Sequence, residues 1–363
     1  MDSISATYMG TIGIRKISRK GAKARSKGFE KMTMNRKSIW AISICCFLGW
    51  SISICRAAEL PSKALFAYGA INAYMAPIWI AKEQGIFRKH NVEVEPVFII
   101  ATQAAQTMLA GGVQLGFIGP THVVNAVAAG SDMVMIMGNQ NSVRYQLVAH
   151  PSIKRPEDLK GKRVGIGASM AGLATLAAIV ALEHVGINAR RDNITLLPTG
   201  PEPTRLAALK SGATLATVLA PEIAKPAINE GFPILVDMAK LNIPFQASGL
   251  VTMRKILRND ALMVERMARA TVDAVHFIAA HANRSTVVQS LRKNLKLSDS
   301  ERAEAVYVEL VEELPRNICP TMAGIRSIMK LMAEFGINAK AAQLKVEDVV
   351  DLTLCQRLGG DGR

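Results

Sequence analysis

Cysteine is scarce and misplaced for catalysis in this chain, aromatic residues make up only 5% of it, and most residue patterns that announce an enzyme are missing. No serine sits in a nucleophile elbow. The six histidines are scattered, and His276 and His281 lie five apart, whereas a helical metal pair needs a spacing of four. The glycines of the segment 167–172 read Gly-x-x-x-x-Gly, without the third glycine of a dinucleotide fingerprint and without the Lys-Ser or Lys-Thr that completes a phosphate-binding loop. These gaps speak against nucleophilic catalysis, a metal centre and a nucleotide cofactor, so no cofactor and no metal are expected.

Three of the five cysteines, Cys45, Cys46 and Cys55, fall in the first 58 residues. Cys319 and Cys355 remain. An oxidising compartment would let them pair, but their surroundings read as helical and far apart, which favours two free thiols.

Charge is concentrated in the same leading segment. The chain carries a formal +15, yet residues 1–58 hold eleven Lys or Arg against Asp2 and Glu30, a net +9, leaving +6 over the rest (33 basic, 27 acidic). The basic excess is therefore no argument for a nucleic-acid partner, and none is expected. Residues 1–33 are basic and without pattern, and read as a disordered stretch or a mis-assigned start. Residues 34–58 read as a signal peptide, with Asn35-Arg36-Lys37 before an apolar run from Ile39 to Ile54 and Cys55-Arg56-Ala57 as cleavage site. An uncleaved membrane anchor is the second reading. Ile54 is too large for lipoprotein processing at Cys55.

What the remaining chain does have is an internal repeat. Residues 63–131 and 162–232 share one pattern at an offset of about one hundred positions: Glu83-Gln-Gly85-Ile86 with Glu183-His-Val-Gly186-Ile187, Asn91-Val92 with Asn193-Ile194, Leu109-Ala-Gly-Gly112 with Leu209-Lys-Ser-Gly212, Pro120 with Pro221, and Gly130 with Gly231. Each copy parses as a β-α-β-α-β unit with a parallel sheet; chance likeness of two such generic units is the alternative. Val92 to Ile100 alternates like a strand, whereas the apolar strands lack alternation, as strands in sheets covered on both faces do. The reading is an α/β protein of two lobes with a cleft between them. Lobe one comprises residues 59–148 plus 250–363, the late helical part returning to it, and lobe two comprises residues 149–249.

In open parallel sheets ligands sit at the carboxyl ends of strands. The loops there supply the candidate ligand-binding residues: Asn72, Tyr74, Thr102, Gln103, Thr121 and Asn139 in lobe one, and Ser169, Met170, Glu202 and Glu222 in lobe two. Gly167-Ala-Ser169-Met170-Ala-Gly172 is the leading element, because it opens a helix whose free N–H groups attract anions. Ser169 caps the helix or bonds a ligand oxygen. Tyr74 packs or stacks, and His122 is the histidine nearest the cleft. Glu202 and Glu222 favour an amine-bearing group. No arginine occurs in these loops, which leaves Arg144 as the sole counter-ion for an acid.

Three stretches carry a family resemblance: Pro77-Ile-Trp-Ile-Ala-Lys-Glu-Gln-Gly-Ile-Phe87, Ala110-Gly-Gly-Val-Gln-Leu-Gly-Phe-Ile118, and Ile153-Lys-Arg-Pro-Glu-Asp-Leu-Lys-Gly-Lys-Arg-Val-Gly165. Over residues 63–355 the chain resembles periplasmic solute-binding proteins of ABC importers for nitrate, sulfonate, taurine and thiamine-precursor-type ligands. That resemblance implies the type II binding-protein fold, a small-molecule ligand captured between lobes, an inner-membrane permease as partner, a periplasmic location and a monomeric state. Related pyrimidine-precursor synthases are the enzymatic alternative, but they carry a Cys-rich iron motif, and the adjacent Cys45-Cys46 belongs to the leader.

Overall fold

The computed structural model describes residues 62–315 and 317–360, all within one compact unit, Glu59–Arg363. The expectations for residues 1–33 and 34–58 lie outside the described residues.

Two five-stranded sheets organise the unit. The first has the order β2-β1-β3-β10-β4, built from β1 (Ser62–Tyr68), β2 (Val92–Phe98), β3 (Leu115–Ile118), β4 (Met133–Gln140) and β10 (Ser248–Met253). The second has the order β7-β6-β8-β5-β9, built from β5 (Gln146–Ala149), β6 (Arg163–Ile166), β7 (Thr195–Pro198), β8 (Ala216–Leu219) and β9 (Ile234–Asp237). The two orders are the same once the copies are superposed in sequence. The repeat extends to the backbone: Asn91 and Asn193 both take left-handed conformations, at φ 54° and 52°, one and two residues before β2 and β7.

Within each repeat the strands run parallel, β1 with β2 and β3 and β6 with β7 and β8, as the repeat implied, while each sheet as a whole is mixed. In each, the fourth strand runs antiparallel to both neighbours: β10 to β3 and β4, and β5 to β8 and β9. These are the strands on which the chain enters one sheet after leaving the other. Composition carries no signal for strand direction, because a strand buried on both faces is apolar whichever way it runs.

Burial explains the strand sequences. In β2 the buried Val92 and Val94 alternate with exposed Glu93 and Glu95, whereas β3 and most of β4 are buried throughout, with Met133, Met135 and Met137 filling the core. Gly116 in β3 is required by close approach, since a Cβ there would stand 2.6 Å from the Ala67 carbonyl oxygen.

Among helices of eight residues or more, α1 (Ala76–Glu83), α2 (Ala101–Leu109) and α3 (Pro120–Ala128) connect the first sheet, and α4 (Leu173–His184), α5 (Glu202–Lys210) and α6 (Pro221–Asn229) the second. Proline at the first helical position starts α3 and α6, where its missing N–H costs nothing. The long helices that follow are α7 (Ala261–Ala279), α8 (Arg284–Leu295), α9 (Ser300–Glu313) and α10 (Met322–Glu334). Among the described residues no helix is long and apolar enough to cross a membrane.

The last turns of chain bind the edge of the first sheet. Gly138 N–H donates to Ile318 O at 2.8 Å, Asp351 N–H donates to Met135 O at 2.9 Å, and Val350 bridges Met135. Between these two attachments Cys319 and Cys355 form a disulfide, with Cα atoms 5.2 Å apart. The free-thiol expectation fails because β4 brings together two segments 36 residues apart.

Candidate ligand site

A cavity of about 130 Å³ lies between the sheets, walled by the loops at the carboxyl ends of their strands. Lobe one, the part built on the first sheet, contributes the loop 69–72 after β1, Ile100–Thr102 after β2, Gly119 and His122 after β3, and Gln140 at the end of β4. Lobe two contributes Gly167–Ser169 and Gly172–Ala174 after β6, and Gly200–Glu202 with Arg205 after β7. Phe98, Phe117, Ile71, Tyr145 and Leu173 add apolar surface.

Four helices, α2, α3, α4 and α5, begin at this wall, and none receives a hydrogen bond from the side chain at its N-cap. Some first-turn N–H groups, such as those of His122 and Thr175, turn onto the Gly119 and Gly172 carbonyls, and what the cavity faces is the positive ends of four helix dipoles. The arrangement favours an oxyanion. Ser169 shapes its own loop rather than capping α4: its Oγ accepts from Ala171 N–H at 3.2 Å and its carbonyl accepts from the Thr175 hydroxyl at 2.7 Å. A hydroxyl that accepts one bond keeps its hydrogen to donate.

Asn72 and Glu202 meet across the cavity. Asn72 accepts from Tyr74 N–H at 3.2 Å through its Oδ1, and its side chain favours the charged form of the Glu202 carboxyl. Glu202 is buried and accepts from Ala220 N–H at 2.7 Å. Burial pushes its carboxyl above the usual carboxylate range, while Arg205, Ala220 and Asn72 pull it back.

Arg205 is the residue that sequence reasoning missed, and it corrects the inference that no arginine reaches the cleft. Buried one turn inside α5, it donates through Nε and Nη2 to Val218 O at 3.1 and 3.0 Å and through Nη1 to Gly200 O at 2.9 Å. It also bonds the Tyr145 hydroxyl and stands 5.9 Å from that ring's centroid. Its position three residues past Glu202, hence on the same helix face, was the available signal. Much of its donor capacity is spent inside lobe two, so it serves as scaffold and as partial counter-charge for Glu202.

Thr102 lines the cavity. Gln103, its neighbour, is exposed and turned away, and Met170 is 51% exposed on a separate groove shared with Phe335 and Arg190. Thr121 is buried behind the wall with no partner for its hydroxyl. Asn139 lies beneath, donating to Tyr74 O at 2.8 Å. Tyr74 and Glu222 line a smaller cavity of about 30 Å³ together with Arg144. Burial raises the Tyr74 phenol, which bonds Arg144. Arg144 in turn pairs with Glu313 at 3.7 Å, and so is engaged away from the main cavity. His122 does line the cavity; burial lowers its imidazole to about 4, leaving it neutral near pH 7.

Known structures share this architecture. The alkanesulfonate-binding protein SsuA from Xanthomonas axonopodis pv. citri, bound to MOPS, is 16% identical with a TM-score of 0.66, covering 82% of this chain and 100% of its own. The periplasmic nitrate-binding protein NrtA from Synechocystis PCC 6803 is 13% identical with a TM-score of 0.68, covering 82% and 88%. The periplasmic aliphatic sulphonate binding protein SsuA from Escherichia coli is 19% identical with a TM-score of 0.61, covering 79% and 91%. No curated protein matches in sequence. The fold is thus the two-lobed periplasmic binding-protein fold, and a family model described as NMT1/THI5 like matches residues 72–285. On that match, which spans more than half of its length, the chain belongs to the NMT1/THI5-like family.

Proposed function

We propose that the protein is the exported solute-binding component of an ABC importer, capturing a small polar or anionic ligand between its lobes and delivering it to a membrane permease. The observation that carries this reading is the cavity between the sheets onto which four helices from both lobes, none capped by an N-cap side chain, direct their N-termini. An anionic group placed there meets donors from both lobes at once, and a ligand can favour the closed form only through such differential contact. Glu202, held at the wall by Asn72 and Ala220, offers an acceptor to a hydroxyl or amine elsewhere on the ligand. In this reading His122 is an uncharged hydrogen-bonding group rather than a catalytic base, and the protein works as a periplasmic monomer without enzymatic turnover. The likeness to SsuA and NrtA supports sulfonates and nitrate as first probes.

Small-angle scattering of the ligand-stripped protein during titration with nitrate and short alkanesulfonates tests the reading. Binding should be accompanied by a decrease in radius of gyration. A probe that binds tightly without compaction would count against capture by closure.

A further inference from the structure

Glu222 is the second residue of α6 in lobe two, and its carboxyl end reaches lobe one. The Ala73 N–H of the lobe-one loop is directed at the carboxylate, and Arg302 of α9 donates to the Glu222 backbone carbonyl. The carboxyl oxygen Oε1 is buried and has no hydrogen-bond partner. It belongs to a residue lining the 30 Å³ cavity that adjoins the ligand cavity through Asn72, Tyr145 and Leu173. A buried ionised carboxylate with an unpaired oxygen is costly.

Its own backbone N–H and that of Ala73 offset only part of that cost. Glu202 of α5 and Glu309 of α9 add repulsion. Tyr74 and Tyr145 are themselves pushed up in part by Glu222's charge. Arg144, across the small cavity, is committed to Tyr74 and Glu313. A proton on Oε1 eliminates the charge and gives that unpartnered oxygen a hydrogen to donate.

We propose that Glu222 is a proton-linked positioning residue, which holds the Ala73 amide when the lobes are closed, so fixing Asn72 in the ligand cavity, and which takes up one proton from solvent as closure buries it. This rests on the two-lobed capture reading. Only one bond forms, O–H at Oε1, and none breaks. Burial, followed by the facing Glu202, pushes the closed-state carboxyl up to about 7, whereas solvent returns an exposed glutamate to about 4.3. The value is raised in the closed form. Its contribution to closure is therefore complete below the open-state value and is lost as pH rises through about 7. His122 acts in the opposite sense, since burial lowers it and acid penalises any state that buries it. Glu222→Gln leaves His122 untouched, so the ratio of wild type to variant isolates the glutamate.

The test is single-molecule energy transfer on the ligand-free protein, with dyes carried by non-natural residues at positions 103 and 170, which flank the cavity on opposite lobes. From pH 5 to 8 the wild-type closed-to-open ratio should fall relative to that of Glu222→Gln, by up to about tenfold per pH unit at its steepest. Thermal unfolding of the variant checks that it folds. Two resolved distances whose populations follow parallel pH curves in both proteins overturn the proposal and leave capture by closure standing. A single distance at every pH in both overturns the proposal and removes the motion that capture requires.

Discussion

Asn72 in lobe one and Glu202 in lobe two face each other across the ligand cavity, each held by a backbone N–H of its own lobe, Tyr74 for the first and Ala220 for the second. Both side chains are buried. The two lobes therefore make a polar contact at the cavity. Opening the cleft exchanges it for water.

Replacing Asn72 by alanine should weaken ligand affinity by roughly ten- to a hundredfold, because a buried carboxylate deprived of a donor costs about 1–3 kcal/mol. Titration calorimetry with the probe that binds wild type reads this. Unchanged affinity would mean that the contact plays no part in the bound state.

Arg205→Met should destabilise the protein itself. The buried Val218 carbonyl and the half-buried Gly200 carbonyl lose their guanidinium donors, and breaking such a charged network costs about 3–5 kcal/mol. Urea unfolding of variant and wild type measures it, and a loss below about 1 kcal/mol would contradict the scaffold role.

How far the sequence revealed this molecule depends on the level considered. Repeated turn residues such as Asn91 and Asn193 betrayed two equivalent units because a left-handed backbone position selects a small set of residues wherever it recurs. Helix starts at Pro120 and Pro221 were legible for a similar local reason. The direction of β5 and β10 was not, since it is set by how the chain passes between sheets. At the site, Asn72, Thr102, Ser169 and Glu202 could be placed by loop position. Arg205 escaped notice because it stands on the body of a helix, and Gln103 and Met170 turn outward because loop membership does not fix side-chain direction.

The Cys319–Cys355 bond closes a loop of 36 residues, for which loop-closure entropy alone predicts about 3–4 kcal/mol of stabilisation. Denaturant unfolding of a Cys319→Ala, Cys355→Ala double variant should show that loss. Reductant should then lower the stability of wild type but not of the variant.

His122 gives the unfolding free energy a pH dependence of known sign. Burial lowers it to about 4, below the ordinary value of about 6.5. Its contribution is full above that ordinary value and is lost as pH falls towards 4. His122→Gln should remove up to about 3 kcal/mol of the stability difference between pH 7.5 and pH 4, read from urea unfolding at both. Equal acid sensitivity in the two proteins would show that the imidazole is not held neutral by burial.

The central claim, reversible capture of a small molecule between two lobes, is tested most directly by native mass spectrometry of the protein purified from its own host. The account predicts an added small mass that disappears when the same sample is sprayed under denaturing conditions. An adduct that survives denaturation would contradict it and point instead to covalent chemistry in the cavity.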